Sequence, residues 1–251
     1  SLDDAELAFL GRHHDAAQAR RAIAAALAAG FDTVSVDLIY GLPGQSKEAW
    51  ESTLDEILAL APPHLSCYEL EIHPRTVFGA TPRRGELRPL PQDDQAHLFL
   101  TTHRRLADAG WPAYELSNFA RSPAHRSPHN EKYWRHVPYL GLGPSAHSHA
   151  GALRWWNVRQ AGPWRRRTEA GESGIEAWER LAPEELAFEA AILGLRTADG
   201  VDLEATRARW GVDLAAALAA VFEAWQSRGP AELVGGRQRP TPRGMAEADR
   251  L

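Results

Sequence analysis

The stretch 31–45 constrains the fold more than any other part of the chain, because it joins an alternating segment to a glycine-containing turn. Polar and apolar residues alternate over 33–38, which predicts an extended strand with Asp37 on its polar face. The Gly-Leu-Pro-Gly sequence at 41–44 predicts a turn that leads into a helix. Asp37 would then lie at the carboxyl end of a strand, where α/β proteins bind ligands. The alternative is a core strand whose acid caps a local turn.

Helices and strands alternate through residues 1–116. The predicted elements are a helix at 15–29 that ends at Gly30, the strand at 33–38, a helix that Ser46 caps and Pro62 ends, a strand at 64–71, a helix at 93–109 and a strand at 111–116. Strands that alternate with helices favour a parallel sheet of βα units. A closed eight-stranded barrel needs about 250 residues for itself, so we expect only part of one. Prolines, arginines and glycines at 74–91 predict a long loop.

The remainder of the chain divides into two segments. Residues 117–180 form a His- and Trp-rich extension with little periodicity, of which 172–180 is predicted to be a linker. Residues 181–251 are predicted to form a mainly helical domain, winged-helix-like, with a small hairpin at 233–241. DNA binding is the alternative for this domain, but its helices lack a basic recognition face, which favours a structural role.

Composition excludes several classes of protein. The chain has 251 residues and a net charge of −5, which gives no indication of a nucleic-acid partner. Its single cysteine, Cys67, excludes both an intrachain disulfide framework and a four-cysteine cluster within this chain. No apolar run approaches the roughly 20 residues that cross a bilayer, and no signal peptide is recognisable. We therefore expect a cytoplasmic location.

Histidines are concentrated in one part of the extension. Five of the 11 lie within 125–149, and the segment His129-Asn130-Glu131-Lys132-Tyr133-Trp134 is the most distinctive. On a helix, His129 would share a face with Tyr133, and Asn130 with Trp134. An imidazole beside aromatic rings suits an axial haem ligand with a stacking wall. The alternative is a surface helix whose aromatic residues anchor a long loop.

Other kinds of site have less support in the sequence. A zinc site lacks HExxH or CxxC spacing, and a Ser–His–Asp triad lacks a GxSxG elbow. Residues 154–167 carry five arginines and no acid, which would suit carboxylates or phosphates. Charge alone favours a solvated surface.

Five motifs occur in an order that resembles one known family. They are Asp37-Leu-Ile-Tyr-Gly-Leu-Pro-Gly-Gln45, Tyr68-Glu-Leu70, Tyr114-Glu-Leu-Ser-Asn-Phe-Ala120, His129-Asn-x-x-Tyr-Trp134 and Gly141-Leu-Gly-Pro-Ser-Ala-His147. The chain resembles the oxygen-independent coproporphyrinogen III oxidase-like branch of the radical S-adenosylmethionine proteins, and within it the HemW-type haem chaperones. The resemblance implies the carboxy-terminal part of an open TIM-type βα barrel, followed by the small helical domain.

The resemblance also implies particular site residues. Asp37 matches the acid that binds the ribose of S-adenosylmethionine, and Arg12 matches an arginine at the same cofactor. Ile39 and Glu71 match positions that line the adenosine pocket.

The haem-chaperone signature matches His129, Asn130, Tyr133 and Trp134, with His129 as the candidate ligand of the haem iron. The implied partners are haem and a haem-accepting apoprotein, with no nucleic acid and with membrane association only through a partner.

One family feature is absent from the sequence. The family carries a CxxxCxxC motif for a 4Fe-4S cluster, and Cys67 alone cannot hold one. We therefore expect the chain to correspond to about the carboxy-terminal two thirds of a family member, and to be inactive as an enzyme and poorly soluble alone. The functional prediction is a haem-binding, haem-transfer protein. The alternative is an oxidase-type radical enzyme of porphyrin biosynthesis, inactive in this fragment.

Overall fold

The structure is a computed structural model that describes residues 1–72 and 90–248. Most of the predicted loop at 74–91 lies outside the described residues. The chain forms two compact units, Ser1–Arg126 and Ser127–Leu251, which are described in turn. Within the described ranges no helix is both long and apolar enough to span a membrane.

The first unit alternates helices and strands in the predicted manner. Its elements are α1 (Asp4–Phe9), α2 (Ala16–Ala28), β1 (Ser35–Tyr40), α3 (Lys47–Leu60), β2 (His64–Glu69), α4 (Gln92–Asp108), β3 (Asn118–Ala120) and a 3₁₀ turn at Pro123–His125. Asp15 begins α2 with a capping box that includes Gln18, and the Ser46 hydroxyl caps α3 by accepting from the amide of Ala49. The predicted starts of α2 and α3 are therefore confirmed. The predicted start of α4 at Asp93 is wrong, because α4 begins at Gln92, after Pro91 and without a side-chain cap. β1 begins two residues later than expected.

The first unit contains a three-stranded sheet in the order β1-β2-β3. β1 and β2 are parallel, in a register that sets Ser35 opposite His64. β3 is antiparallel to β2. The predicted parallel strand at 111–116 is wrong, since these residues form isolated β-bridges and no strand; Ala113 bridges Phe119 in the antiparallel sense.

A local turn explains why the chain reverses at this point. The amide of Tyr114 donates to the carbonyl of Asn118 at 3.0 Å, and the amide of Ser117 donates to the Glu115 carboxylate at 3.1 Å. Such side-chain-to-backbone hydrogen bonds compete with continuation of a strand.

The core of the first unit lies between one face of the sheet and helices α3 and α4. Its buried side chains include those of Leu38, Tyr40, Trp50, Leu54, Ile57, Leu65, Cys67, Leu98, Leu106, Trp111 and Phe119. Trp50 is fully buried, and its Nε1 donates to the Thr102 hydroxyl at 2.8 Å. This bond satisfies the indole N–H that burial removes from water.

The second unit contains more helices and two separate sheets. Its elements are α5 (Pro128–Trp134), β4 (His147–Ala150), β5 (Leu153–Asn157), α6 (Ala161–Glu169), β6 (Ile175–Arg180), α7 (Pro183–Gly194), β7 (Val201–Asp202), α8 (Leu203–Trp210), α9 (Leu214–Ala217), α10 (Ala219–Arg228), β8 (Ala231–Val234), β9 (Arg237–Pro240) and α11 (Pro242–Ala246). The sheets have the orders β4-β5-β6 and β7-β9-β8.

One element of the second unit contradicts the sequence prediction, and another confirms it. The predicted linker at 172–180 is wrong, because β6 pairs antiparallel with β5 and sets Trp178 opposite Trp155. Such aromatic cross-strand pairs stabilise a sheet. The predicted hairpin is present as β8–β9, where Gly235 and Gly236 both have positive φ, which glycine adopts without strain.

His103 on α4 is buried among aromatic rings in the first unit. It lies between Phe99 and Phe119, at ring-centroid distances of 4.2 and 5.0 Å, and its Nε2 donates to the carbonyl of Leu116 at 3.0 Å. Burial lowers the pKa of His103 to about 4, against a smaller opposing effect of the bond to Leu116. The ring is therefore neutral in the folded protein near pH 7.

We expect His103 to make the first unit less stable in mild acid. The unfolded chain takes up a proton on this ring as the pH falls below about 6.5, whereas the folded chain does so only near pH 4. This difference lowers the free energy of unfolding by about 2 kcal/mol between about pH 7 and pH 5. This change in the free energy of unfolding can be measured by urea titration at each pH, with amide hydrogen exchange in β2 and α4 as the probe. His103→Gln should lose about 2 kcal/mol less than the wild type over the same interval, and an equal loss in both proteins would contradict the assignment.

Candidate functional site

A cleft of about 1060 Å³ lies in the first unit beside β1, and we call it the β1 cleft. Arg12, Asp37 and Ile39 all line it. The structure thus brings together three of the four residues predicted for the adenosyl cofactor. The fourth, Glu71, is exposed and does not line the cleft.

The β1 cleft runs along the edge strand β1, and residues 34–39 all line it. Leu38 and Tyr40 point into the core, so Ser35, Asp37 and Ile39 lie on the opposite face of the strand. Asp37 is exposed, which keeps its carboxylate available to a ligand. A carboxylate can accept hydrogen bonds from paired hydroxyl groups, as in ribose.

Arg12 reaches the same cleft from the segment after α1. Its amide donates to the carbonyl of Leu7 at 2.9 Å, directly after Gly11 turns the chain with a φ of 66°. A guanidinium is suited to binding a carboxylate through two parallel hydrogen bonds. The charged groups of the cleft therefore fit a nucleoside that carries an amino-acid tail.

Sequence reasoning missed a buried histidine on the same face of the sheet. His64 is 4% exposed, and its two ring nitrogens lie 2.8 Å from the Ser35 hydroxyl and 2.8 Å from the Tyr114 hydroxyl. Desolvation lowers the pKa of His64, against a smaller raising effect of Asp37. The strand register is the feature that would have revealed His64, because the parallel pairing of Ser35 with His64 places both side chains on the polar face.

An iron–sulfur cluster does not fit the residues of this chain. Cys67, its only cysteine, is buried beside the β1 core residues, and burial raises the pKa of its thiol. Within the described ranges, no group of three or more His, Cys, Asp or Glu side chains could hold a metal ion.

Helix α5 carries the predicted haem-binding residues. The Ser127 hydroxyl caps the helix, with Pro128 at its first position. His129 is exposed, and its ring meets that of Tyr133 edge to face at a centroid distance of 5.1 Å. The predicted i, i+4 pairing of these two side chains is confirmed.

The other two signature residues, Asn130 and Trp134, are partly buried on the same helix. The Trp134 Nε1 is buried and has no hydrogen-bond partner among the described residues. The ring of His129 also has no hydrogen bond to another described residue, but it is exposed, so both of its nitrogens are available to a ligand.

The remaining histidines of the 125–149 cluster separate into different environments. In the first unit, His125 contacts the Thr33 hydroxyl at 2.9 Å. His147 is exposed on β4 and stacks on Trp156. His136 and His149 are buried side by side, and no sequence pattern indicated this pair.

Two of the five arginines of the basic stretch at 154–167 pair with acids. Arg154 contacts Glu189 at 2.5 Å and Glu179 at 3.3 Å, and Arg165 contacts Glu169 at 3.6 Å. These ion pairs favour the interpretation as a structural and solvated surface over a phosphate site.

Comparison with known proteins identifies relatives of this chain. Residues 181–246 match the family model described as the HemN C-terminal domain. A haem chaperone HemW from Synechocystis sp. is 36% identical over 80% of this chain and 49% of its own length. A HemW from Mycobacterium tuberculosis is 34% identical over 78% of this chain and 50% of its own length. The mitochondrial radical S-adenosyl methionine domain-containing protein 1 of Mus musculus is 39% identical over 80% of this chain and 47% of its own length.

A solved structure shows the same fold. Coproporphyrinogen III oxidase (HemN) from Escherichia coli, a radical SAM enzyme, matches with a TM-score of 0.74 at 18% identity, covering 98% of this chain and 60% of the enzyme. The fold is therefore that of the TIM-type barrel enzyme HemN, with mixed helices and strands. The chain spans about half the length of the curated relatives it matches. The chain belongs to the HemN/HemW family of radical S-adenosylmethionine proteins.

Proposed function

We propose that this chain binds haem and transfers it to an acceptor protein. The observation that carries the proposal is the His129–Tyr133 pair on α5, which presents an exposed imidazole within the signature of the haem-chaperone branch. Several relatives that match most of this chain bear the name haem chaperone. The likeness to the coproporphyrinogen oxidase supports the fold alone and does not favour the oxidase function.

The geometry of α5 suits an axial ligand. When bound, haem iron accepts a nitrogen lone pair from an imidazole. The edge-to-face contact with Tyr133 holds the His129 ring on one side while leaving its nitrogens open. Lys132 lies over the Tyr133 ring at 4.9 Å, so the proposed site also carries a cation that could face a porphyrin propionate.

Transfer would also require that the bound haem be reachable by an acceptor. The exposure of His129 meets this requirement, because a ligand on an exposed imidazole can be passed on without opening the core. The acceptor is a haem-binding apoprotein in this proposal. We propose no nucleic-acid partner, a membrane association only through the acceptor, and a cytoplasmic location.

We propose that the β1 cleft binds S-adenosylmethionine. Asp37 would accept hydrogen bonds from the ribose hydroxyls, Arg12 would bind the amino-acid carboxylate, and Ile39 would contact the adenine. Glu71 has no role in this proposal, because it does not line the cleft. The cleft would belong to the carboxy-terminal part of a βα barrel, and the second unit would end in a winged-helix-like domain. A 4Fe-4S cluster would need cysteines beyond the single one in this chain.

Removal of the His129 imidazole should weaken haem binding. We expect His129→Ala to shift the Soret band of the hemin complex and to lower hemin affinity about tenfold or more, since one axial bond is lost. His147→Ala is the matched control, because it removes another exposed histidine of the same unit. An unchanged spectrum and affinity in His129→Ala would rule out this residue as the ligand.

Removal of the Asp37 charge should weaken binding of S-adenosylmethionine. Asp37→Asn replaces a charge-assisted pair of hydrogen bonds by weaker ones, so we expect about tenfold lower affinity by titration calorimetry. Asp32→Asn is the matched control, because Asp32 is also exposed but does not line the β1 cleft. Equal affinities of the two variants would contradict a role for Asp37 at the ribose.

A further inference from the structure

We propose that His136 and His149 form a binding site for one divalent transition-metal ion of the zinc class. Both side chains line a cavity of about 160 Å³ in the second unit. The other lining residues are Tyr133, Val137, Tyr139, Arg154, Glu189 and Leu193. The proposal is independent of haem binding at His129, which does not line this cavity.

Each imidazole presents a buried nitrogen without a partner. His136 is 7% exposed and His149 is 3% exposed, and His136 Nδ1 and His149 Nε2 have no hydrogen-bond partner among the described residues. Buried polar atoms are nearly always paired, so two unpaired nitrogens on one cavity point to a missing ligand.

Hydrogen bonds at the other nitrogens orient both rings. His136 Nε2 lies 3.3 Å from the Glu189 carboxylate, to which its N–H donates. His149 hydrogen-bonds the backbone of Gly151, which leaves Nε2 as its unpaired atom. The two unpaired nitrogens therefore carry lone pairs. Metal-binding histidines almost always have this arrangement, with the second nitrogen donating to a carboxylate or to the backbone.

The spacing of the rings agrees with a shared ion. Their centroids are 4.6 Å apart and their planes are nearly perpendicular, at 88°. Two imidazoles on one tetrahedral ion have centroids about 5 Å apart, because each nitrogen lies about 2 Å from the metal. Two nitrogen ligands favour Zn²⁺, Co²⁺, Ni²⁺ or Cu²⁺ over Mg²⁺ or Ca²⁺, which prefer oxygen.

The backbone also holds His136 in an unusual conformation. Its φ is 54°, in the left-handed region that non-glycine residues rarely adopt, and Arg209 donates to its carbonyl at 3.1 Å. The amide of Val137 donates to the carbonyl of Lys132 at 2.9 Å and closes the end of α5, so this conformation fixes His136 as the residue that ends the helix.

Charges of both signs lie around the cavity. Arg209 disfavours a positive charge at both imidazoles and Arg154 does so at His149, whereas Glu189 favours one. Arg154 pairs with Glu189 and Glu179. Val137 is 42% exposed and places one side of the cavity at the surface, where an ion can enter. With only two protein ligands, the ion would keep positions open for water or for an exchangeable ligand.

The test is titration of the whole chain with Zn²⁺ by calorimetry and with Co²⁺ by visible absorption. We expect one equivalent to bind, with a Co²⁺ spectrum of a nitrogen-ligated ion. His149→Gln and His136→Asn should each lower the affinity about tenfold or more. Asn is chosen at 136 because it tolerates positive φ.

His147→Gln and His129→Ala are the controls, and both should bind as the wild type does. Loss of binding in either control, equal to that in His149→Gln, would assign the ion to surface histidines and overturn the proposal. So would the absence of Zn²⁺ binding in the wild type, which would leave the cavity to water.

A second measurement on the wild type needs no variant. The ¹⁵N resonances of His136 Nδ1 and His149 Nε2 should both shift when one equivalent of Zn²⁺ is added, because coordination occupies their lone pairs. Unchanged resonances at these two nitrogens would overturn the proposal even if the chain binds Zn²⁺ elsewhere.

Discussion

The parallel pairing of β1 with β2 determines how the rest of the first unit is arranged. Parallel neighbouring strands require a crossover connection, which α3 supplies. Their apolar face must also be covered by helices. Leu38 and Leu65 lie on that covered face and pack against α3 and α4. The opposite face carries Ser35, Asp37 and His64. The carboxylate of the candidate cofactor site therefore lies on the face that the core does not use.

The second unit is organised on a different principle. Its two sheets are antiparallel, and each has three strands. The hairpins β4–β5 and β8–β9 have short connections, whereas α6 joins β5 to β6. The carboxy-terminal sheet closes against α7, α9 and α10 around the buried residues Ala191, Leu214 and Phe222. The haem-signature helix α5 belongs to this unit, whereas the β1 cleft belongs to the other. The two proposed ligands would therefore bind to different compact units of the chain.

Local signals in the sequence predicted most helices and the two parallel strands. Ser46 and Asp15 begin their helices as caps because the side-chain oxygen and the free amide are three residues apart. The errors fall where pairing is not local. The sequence at 111–116 has strand-like residues, yet the turn at Glu115 diverts it, and β6 is a strand because β5 offers it a partner.

The candidate site divides in the same way. Arg12, Asp37 and Ile39 could be found from motif order, and His129 and Tyr133 from helical spacing. His64 and the pair His136–His149 could not, because their partners are set by strand register and by side-chain packing. Glu71 is the opposite case: it matches a motif position, yet it does not line the cleft.

The burial of Cys67 gives this chain an internal reporter. Its thiol lies between the β1–β2 pair and the helices of the first unit, and it is the only thiol in the sequence. A thiol-reactive dye can modify it only while this sheet is open, so the labelling rate in native buffer measures the opening equilibrium of the cofactor-side unit alone. Because the second unit has no cysteine, its own fluctuations are silent in that experiment.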